Sequence, residues 1–147
     1  MKSKIKLLLI VTLSTLLMAC QGTSPTHGEG HSLAIQYLTA INDGKYEEAY
    51  ALVSEDFFGS HSKDERIAYH DEIKKIMGPV VSVKLSEKTV DDRFSGRFYM
   101  FKFALKHENG ISMEMVTMID QINTKKPLRV FAHKVDSSKL KKLNSNF

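Results

Sequence analysis

The side chains best suited to metal chemistry fall into two groups. These are His27, Glu29 and His31 in one stretch, and Met113, Met115 and Met118 in another. Imidazole and carboxylate groups suit zinc, whereas thioethers suit copper(I). Glycines separate the ligands of the first stretch and impose no geometry, and in a strand the third methionine would lie on the face opposite the other two. We therefore predict no metal site and no cofactor, with the methionines packed in the core.

Motifs of the common catalytic and nucleotide-binding classes do not occur in the sequence. There is no G-x-S-x-G, P-loop, H-E-x-x-H, C-x-x-C or calcium-loop spacing, so no catalytic residue is predicted. The 21 basic and 17 acidic residues give a net charge of +4, but three of the lysines belong to an N-terminal leader. The rest of the chain is close to neutral. Nucleic acid needs a dense positive field, so we predict that it is not a partner.

The only cysteine, Cys20, ends the most informative stretch of the chain. Lys2, Lys4 and Lys6 precede an uncharged run over residues 7–17, which is the order of a secretory signal peptide. This run is too short to cross a bilayer as a helix, because crossing takes about 20 residues. With no second cysteine, the mature domain cannot form an internal disulfide.

The four residues Leu17-Met18-Ala19-Cys20 resemble a bacterial lipobox. This resemblance implies that a lipid is attached to the sulfur of Cys20 and that cleavage makes this cysteine the first residue of the mature chain. The expected location is the cell membrane, and Gln21 implies the outer membrane, facing the periplasm, in a cell with two membranes. The alternative is an ordinary secreted protein whose Cys20 happens to follow a cleavage site.

Composition divides the chain into four parts. Residues 1–19 are the signal peptide, and residues 20–31 are rich in glycine and small polar side chains, as in a flexible tether. Residues 32–136 carry the apolar patterns of a single domain, and residues 137–147 form a basic tail.

Within the domain, apolar residues recur first at helical and then at alternating spacing. The predicted helices cover residues 32–44, 46–58 and 62–78. The predicted strands cover residues 81–85, 97–106, 111–122 and 128–135. His70 lies among the apolar positions of the third helix, where we predict a marginal site with one ring nitrogen in water.

The turn between the second and third strands decides which side chains face the helices, because a shift of one residue exchanges the two faces. A loop of Asn109 and Gly110 alone would put Glu114 on the apolar face. A loop that also includes Glu108 turns Glu114 outward. We choose this second register because a buried, unpaired carboxylate costs several kcal/mol.

In the chosen register, two sets of hairpin residues are candidates for function. Tyr99, Phe101 and Thr117 face the helices and form the predicted pocket. Met100, Val116 and Met118 face outward and form the predicted interface. This apolar strip would bind a second copy of the chain or an envelope protein, unless the C-terminal tail covers it. In the last strand, Arg129 and His133 are predicted to face outward.

The chain resembles small bacterial lipoproteins of unknown function with a nuclear transport factor 2-like, or cystatin-like, fold. The resemblance rests on Ala34-x-x-x-Leu38-x-x-Ile41-x-x-Gly44-x-Tyr46-x-x-Ala49-Tyr50, on Gly78 and on the hairpin over residues 96–119. It implies an α+β fold in which three N-terminal helices pack on one face of a curved four-stranded antiparallel sheet.

The same resemblance implies a pocket between helices and sheet but no catalytic residues. We expect a membrane-anchored lipoprotein that acts as a non-catalytic binding module. The alternative is a small-molecule pocket, with enzyme activity of the type found in ketosteroid isomerase, a relative within this fold. Fold kinship alone does not establish such an activity.

Overall fold

The computed structural model describes residues 26–121, 124 and 126–145. The predicted signal peptide, Cys20 and the first part of the predicted tether lie outside the described residues. None of the helices in the described part is both long and apolar enough to cross a membrane.

The first helix, α1, spans His27–Asp43 and begins earlier than predicted. Thr26 and Glu29 form a capping box, in which each side chain bonds the other residue's backbone N–H. The last part of the predicted tether is therefore helical, and the boundary at residue 32 is wrong. At the other end, Gly44 adopts the left-handed conformation (φ 75°) that ends the helix as predicted.

Two further helices complete the helical layer. Helix α2, Tyr46–Tyr50, is shorter than predicted, and a single 3-10 turn follows at Glu55–Phe58. Between them, Val53 forms a parallel bridge with Val130, so the chain there is extended rather than helical. Helix α3, Lys63–Met77, has the predicted capping box at Ser62.

Four antiparallel strands follow in the order β1-β2-β3-β4, with the helices on one side of the curved sheet. The strands are β1 Val80–Arg93, β2 Gly96–His107, β3 Gly110–Asp120 and β4 Arg129–Asp136. The predicted fold class is therefore confirmed. Strand β1 is much longer than predicted, and most of it is exposed because it extends past the helices at the edge of the sheet.

The hairpin register differs from the one that we chose. His107 pairs with Gly110, so the turn is Glu108-Asn109, and Phe103 pairs with Glu114. This register places Glu114 on the face toward the helices, where it is only 3% exposed. The prediction failed because it assumed that a buried carboxylate would lack partners.

Strand β4 contains a bulge that shifts its alternation. Thr117 pairs with Ala132 and Met118 with Val130, which leaves Phe131 as an extra residue. The bulge lets both Val130 and His133 face the helices, since a regular strand would put residues three apart on opposite faces. The outward orientation predicted for His133 is therefore wrong.

The core has two parts. In the larger part, α1 packs on the inward faces of β2 and β3, and the fully buried side chains are Tyr37, Leu38, Phe101, Phe103, Leu105, Val116 and Met118. In the smaller part, Leu140 from the predicted tail packs against Met77 of α3 and Val135 of β4. The tail is thus part of the domain, in the 3-10 turn Ser138–Leu140 and helix α4, Lys141–Asn144.

The domain has two distinct ends, which we call the entry end and the far end. At the entry end, α1 begins, β1 turns into β2 through Phe94-Ser95, and β3 finishes. At the far end lie the β2–β3 turn and the end of α3, where the backbone N–H of Asn109 donates to the carbonyl oxygen of Met77 at 2.9 Å.

Candidate functional site

A chain of hydrogen bonds surrounds Glu114 between the sheet and the helices. We call it the Glu114 network, and its members are Tyr37, Gly78, His107, Ser112, Glu114 and His133. Glu114 Oε2 lies 2.9 Å from His133 Nε2, and Glu114 Oε1 lies 2.9 Å from Ser112 Oγ. Each oxygen of the Glu114 side chain therefore has a protein partner, although the side chain has almost no access to water.

The network continues outward from both oxygens. On one side, His133 Nδ1 lies 3.2 Å from the Tyr37 hydroxyl. On the other, Ser112 Oγ lies 2.9 Å from His107 Nε2, and His107 Nδ1 lies 3.1 Å from the carbonyl oxygen of Gly78. The network thus joins α1, the end of α3 and three strands.

The direction of the outer bonds follows from their chemistry. The Gly78 carbonyl can only accept, so His107 donates through Nδ1. Burial, with the nearby Tyr50 and Glu114, raises the pKa of Tyr37 well above its usual value, so this phenol keeps its proton. The Tyr37 hydroxyl donates to His133 Nδ1, and His133 donates through Nε2 to the carboxylate.

The five contacts need one proton each. If Glu114 is ionised and both imidazoles are neutral, only four protons are present, one each on His107, Ser112, His133 and Tyr37. A fifth proton would make every contact a hydrogen bond. It would lie either on His107 Nε2, with Ser112 donating to Glu114, or on Glu114, with Ser112 donating to His107.

In either arrangement the Glu114 network is electrically neutral as a whole, so no net charge is buried. They differ in the residue that carries the fifth proton and in the direction of the two bonds of the Ser112 hydroxyl. His107 Nε2 and Glu114 Oε1 are 4.0 Å apart, and the hydroxyl bridges them. The site is therefore an acid–base pair joined by a group that can pass a proton between its members.

His70 lies beside the network and is buried, which contradicts the marginal position that we predicted. Its ring stacks on His133 with centroids 5.5 Å apart and planes 15° from parallel. Burial is the main cause that lowers the pKa of His70 well below its usual value, and His133, Arg66 and Lys74 lower it further. His70 is therefore neutral in the folded protein at neutral pH.

The space beside the network is small. A cavity of about 30 Å³ lies among His70, His107, Glu114 and His133, which is room for one or two water molecules. Three imidazoles and a carboxylate could in principle hold a metal ion. Within residues 26–121, 124 and 126–145, however, no three His, Cys, Asp or Glu side chains have an arrangement that fits one.

The residues first considered for metal binding have other contacts. Glu29 caps α1, and the His27 ring packs edge-on against Tyr99 with centroids 5.7 Å apart. The His31 ring stacks on Phe103. Along β3, Met118 faces the helices and is buried, whereas Met113 and Met115 lie on the opposite face and are more exposed.

Solved structures place this architecture among known folds. An NTF2-like protein of Cytophaga hutchinsonii matches 77% of this chain and 98% of its own length, with 14% identity and a TM-score of 0.52. A Shewanella frigidimarina protein described as a "putative ketosteroid isomerase" matches 77% of this chain and 97% of its own, with 10% identity and a TM-score of 0.51. The domain has the nuclear transport factor 2-like fold. At these identities the similarity establishes the fold alone.

A third match concerns a longer protein. Bdellovibrio bacteriovorus Bd1075 aligns with 76% of this chain at 9% identity and a TM-score of 0.50, and the aligned part spans 41% of Bd1075. No protein-family model matches the chain, and no curated protein is similar to it in sequence.

The predicted pocket is filled in this NTF2-like domain. Tyr99 and Phe101 face the helices as predicted, but they pack against the first turns of α1, where Phe101 comes within contact of Gly30. Thr117 pairs with Met100 and lies on the opposite face of the sheet from Glu114. Its assignment to the pocket is therefore wrong, for the same reason of register.

The predicted interface is only partly retained. Val116 and Met118 are fully buried toward the helices, so their assignment to an outward strip is wrong. Met100 remains outward and half-buried, and in the observed register it lies beside Thr117, with Met113 and Met115 further along the same face. Leu140 packs on the helical side, so this part of the tail does not cover the strip.

The network residues His107, Ser112, Glu114 and His133 were not predicted as a site. In β3, Ser112 and Glu114 share a strand face with Val116 and Met118, whereas the opposite face carries Met113, Met115, Thr117 and Ile119. The opposite face is the more apolar of the two, so the strand's own pattern gave no signal that Glu114 is buried.

Proposed function

We propose that the protein is a lipid-anchored lipoprotein of the cell membrane whose domain binds another protein and catalyses no reaction. The leader and the lipobox-like residues up to Cys20 support the anchor. Gln21 supports the outer membrane, facing the periplasm, if the cell has two membranes.

The filled interior is the observation that carries the non-catalytic role. Sites for small molecules usually enclose about 300 Å³ or more. The space beside Glu114 is about 30 Å³, and both carboxylate oxygens already bind protein groups. The space is too small for a substrate to reach the carboxylate, so the buried residues support a structural role beneath a binding surface.

The outward face of the sheet is the surface that we assign to the partner, a second copy of the chain. Met100, Met113 and Met115 lie along its middle, and Phe98 packs edge-on against Phe131 at one end. Lys102 lies among them, opposite Met115, and pairs with Glu87 at 3.5 Å. A symmetric contact brings identical patches together, and this apolar stretch with a paired charge is a surface that a second copy can cover.

The anchor is tested by detergent partitioning of the full chain expressed in a bacterium, with Cys20→Ser as the comparison. We expect the wild type in the detergent phase with a lipid on Cys20, and the variant in the aqueous phase. If both partition alike and neither carries lipid, the lipoprotein assignment is wrong.

The binding face is tested by sedimentation of Met100→Lys with Met115→Glu. Both positions are outward, so the double variant should fold and sediment as a monomer while the wild type sediments as a dimer. Val81→Lys, at an exposed position of the edge strand, is the matched control and should remain dimeric. A monomeric wild type would exclude the second copy as the partner.

A second candidate, acid–base chemistry on a small molecule, is favoured by the buried pair of Glu114 and His133. It requires the interior to open by several-fold in volume. Native mass spectrometry after mild purification tests it: a co-purifying metabolite whose retention is lost on Phe101→Ala would favour this candidate over the binding module.

A further inference from the structure

The turn between β1 and β2 carries an aromatic side chain that touches nothing else in the described part of the chain. Phe94 is fully exposed, and it occupies the first position of a two-residue turn between Arg93 and Gly96. Such turns favour Asn, Asp and Gly, whose backbones adopt the necessary angles. Phenylalanine therefore contributes neither to the turn nor to the core.

The polypeptide enters the domain at the same end as this turn. His27, at the start of α1, packs on Tyr99, whereas His31, one turn later, reaches Phe103 further from the turn. Helix α1 thus runs away from the β1–β2 turn, and its first residue points toward the entry end. The basic tail lies at the far end, where Lys139 approaches Gly110.

The chain length between the anchor and the domain fixes how far apart they can lie. Six residue steps separate Cys20 from Thr26, and they span at most about 21 Å. From Tyr99 to the turn, β2 extends about 14 Å at roughly 3.4 Å per residue. A lipid on Cys20 therefore holds the entry end close to the membrane, and Phe94 is a fully exposed apolar side chain in the turn at that end.

We infer that the β1–β2 turn is a membrane contact, with the Phe94 ring inserted among lipid headgroups and upper acyl chains. The inference rests on the proposed lipid anchor. Arg93 pairs with Asp91 and Arg97 with Asp92, each at 2.6 Å, so the turn is nearly neutral and the ring supplies the attraction. Aromatic rings are well suited to this interface, and the flanking arginine stems can lie along it.

The chain has no tryptophan, so one introduced tryptophan reports its own surroundings. Phe94→Trp places it at the turn. Ile111→Trp is the matched control, because Ile111 is 63% exposed at the far end. Full chains lipidated in a bacterium are reconstituted into phosphatidylethanolamine–phosphatidylglycerol vesicles with brominated acyl chains, and quenching by bromine and by aqueous acrylamide is measured.

We expect bromine to quench most of the emission from position 94 and little from position 111, with acrylamide giving the reverse order. Equal quenching at the two positions, or acrylamide quenching at both, would overturn the membrane contact while flotation with the vesicles still supported the anchor.

If mass spectrometry finds no lipid on Cys20, the proposed anchor has failed, and the geometry is tested separately. The free thiol of Cys20, the only one in the chain, is then coupled to a maleimide-bearing lipid in the same vesicles. Bromine quenching confined to position 94 would support the contact geometry, and its absence would refute it.

Discussion

Replacing Glu114 by glutamine and by alanine should have very different effects on stability. The amide oxygen of glutamine can accept from His133, and its NH₂ group can donate to Ser112. Ser112 then donates to His107, which is the arrangement of the network with a protonated Glu114. Glu114→Gln therefore preserves all five contacts with neutral imidazoles.

The two magnitudes follow from the contacts in the structure. Glu114→Ala leaves His133 Nε2 and the Ser112 hydroxyl without their partner. Each unsatisfied buried group costs about 1–3 kcal/mol, so we expect a loss of about 2–6 kcal/mol for the two groups, lessened if water enters the enlarged cavity. For Glu114→Gln we expect a loss below about 1 kcal/mol, as for a shape-conserving change that keeps its hydrogen bonds.

Urea unfolding followed by circular dichroism at pH 7 measures both changes, and Glu108→Gln on the exposed β2–β3 turn controls for the loss of a negative charge. If Glu114→Gln destabilises as much as Glu114→Ala, the network depends on ionic charge rather than on the number of protons. The Glu114 network would then not hold one proton for each of its five contacts.

Three further changes test other parts of the structure. Burial lowers the pKa of His70, so below about pH 6.5 the unfolded chain takes up a proton that the folded protein does not. The free energy of unfolding therefore falls by about 1.4 kcal/mol per pH unit on acidification below that pH. His70→Phe should remove this loss between about pH 7.5 and pH 5.5 in urea unfolding, and an unchanged dependence of stability on pH would contradict the prediction. Gly96→Ala should lower the free energy of unfolding by about 1–3 kcal/mol, since the new Cβ would lie 2.6 Å from the backbone oxygen of Asp120. A thermal midpoint equal to that of the wild type would show that the backbone of the hairpin shifts to relieve this clash. Leu140→Ala should cost about 2–5 kcal/mol because the side chain is fully buried, whereas the exposed control Lys139→Ala should be neutral; equal midpoints would mean that the tail is not docked in solution.

The sequence predicted the order and type of the main elements because their signals are local. The capping box at Ser62 and the left-handed Gly44 are set by a few neighbouring residues, and the structure has both. The start of α1 was missed because a glycine-rich composition indicated a tether. The capping box of Thr26 and Glu29 is the local signal that would have corrected it.

The buried site could not be predicted because its geometry depends on single-residue shifts between strands. The β2–β3 turn fixes the face of Glu114, and the bulge at Phe131 fixes the face of His133. Neither shift leaves a periodic trace in the sequence. A lone carboxylate would be costly to bury, but Glu114 has partners, and three members of its network come from other strands or from α1.

The contact between Tyr37 and His133 joins residues 96 positions apart, near the beginning and the end of the domain. Closing the long loop between these two residues costs conformational entropy. The contact therefore forms only after the strands between Tyr37 and His133 have paired and shortened that loop. We therefore expect the last strand to lock the first helix late in folding, after the transition state. Damage to this contact would leave the folding rate nearly unchanged and would shorten the lifetime of the folded protein instead.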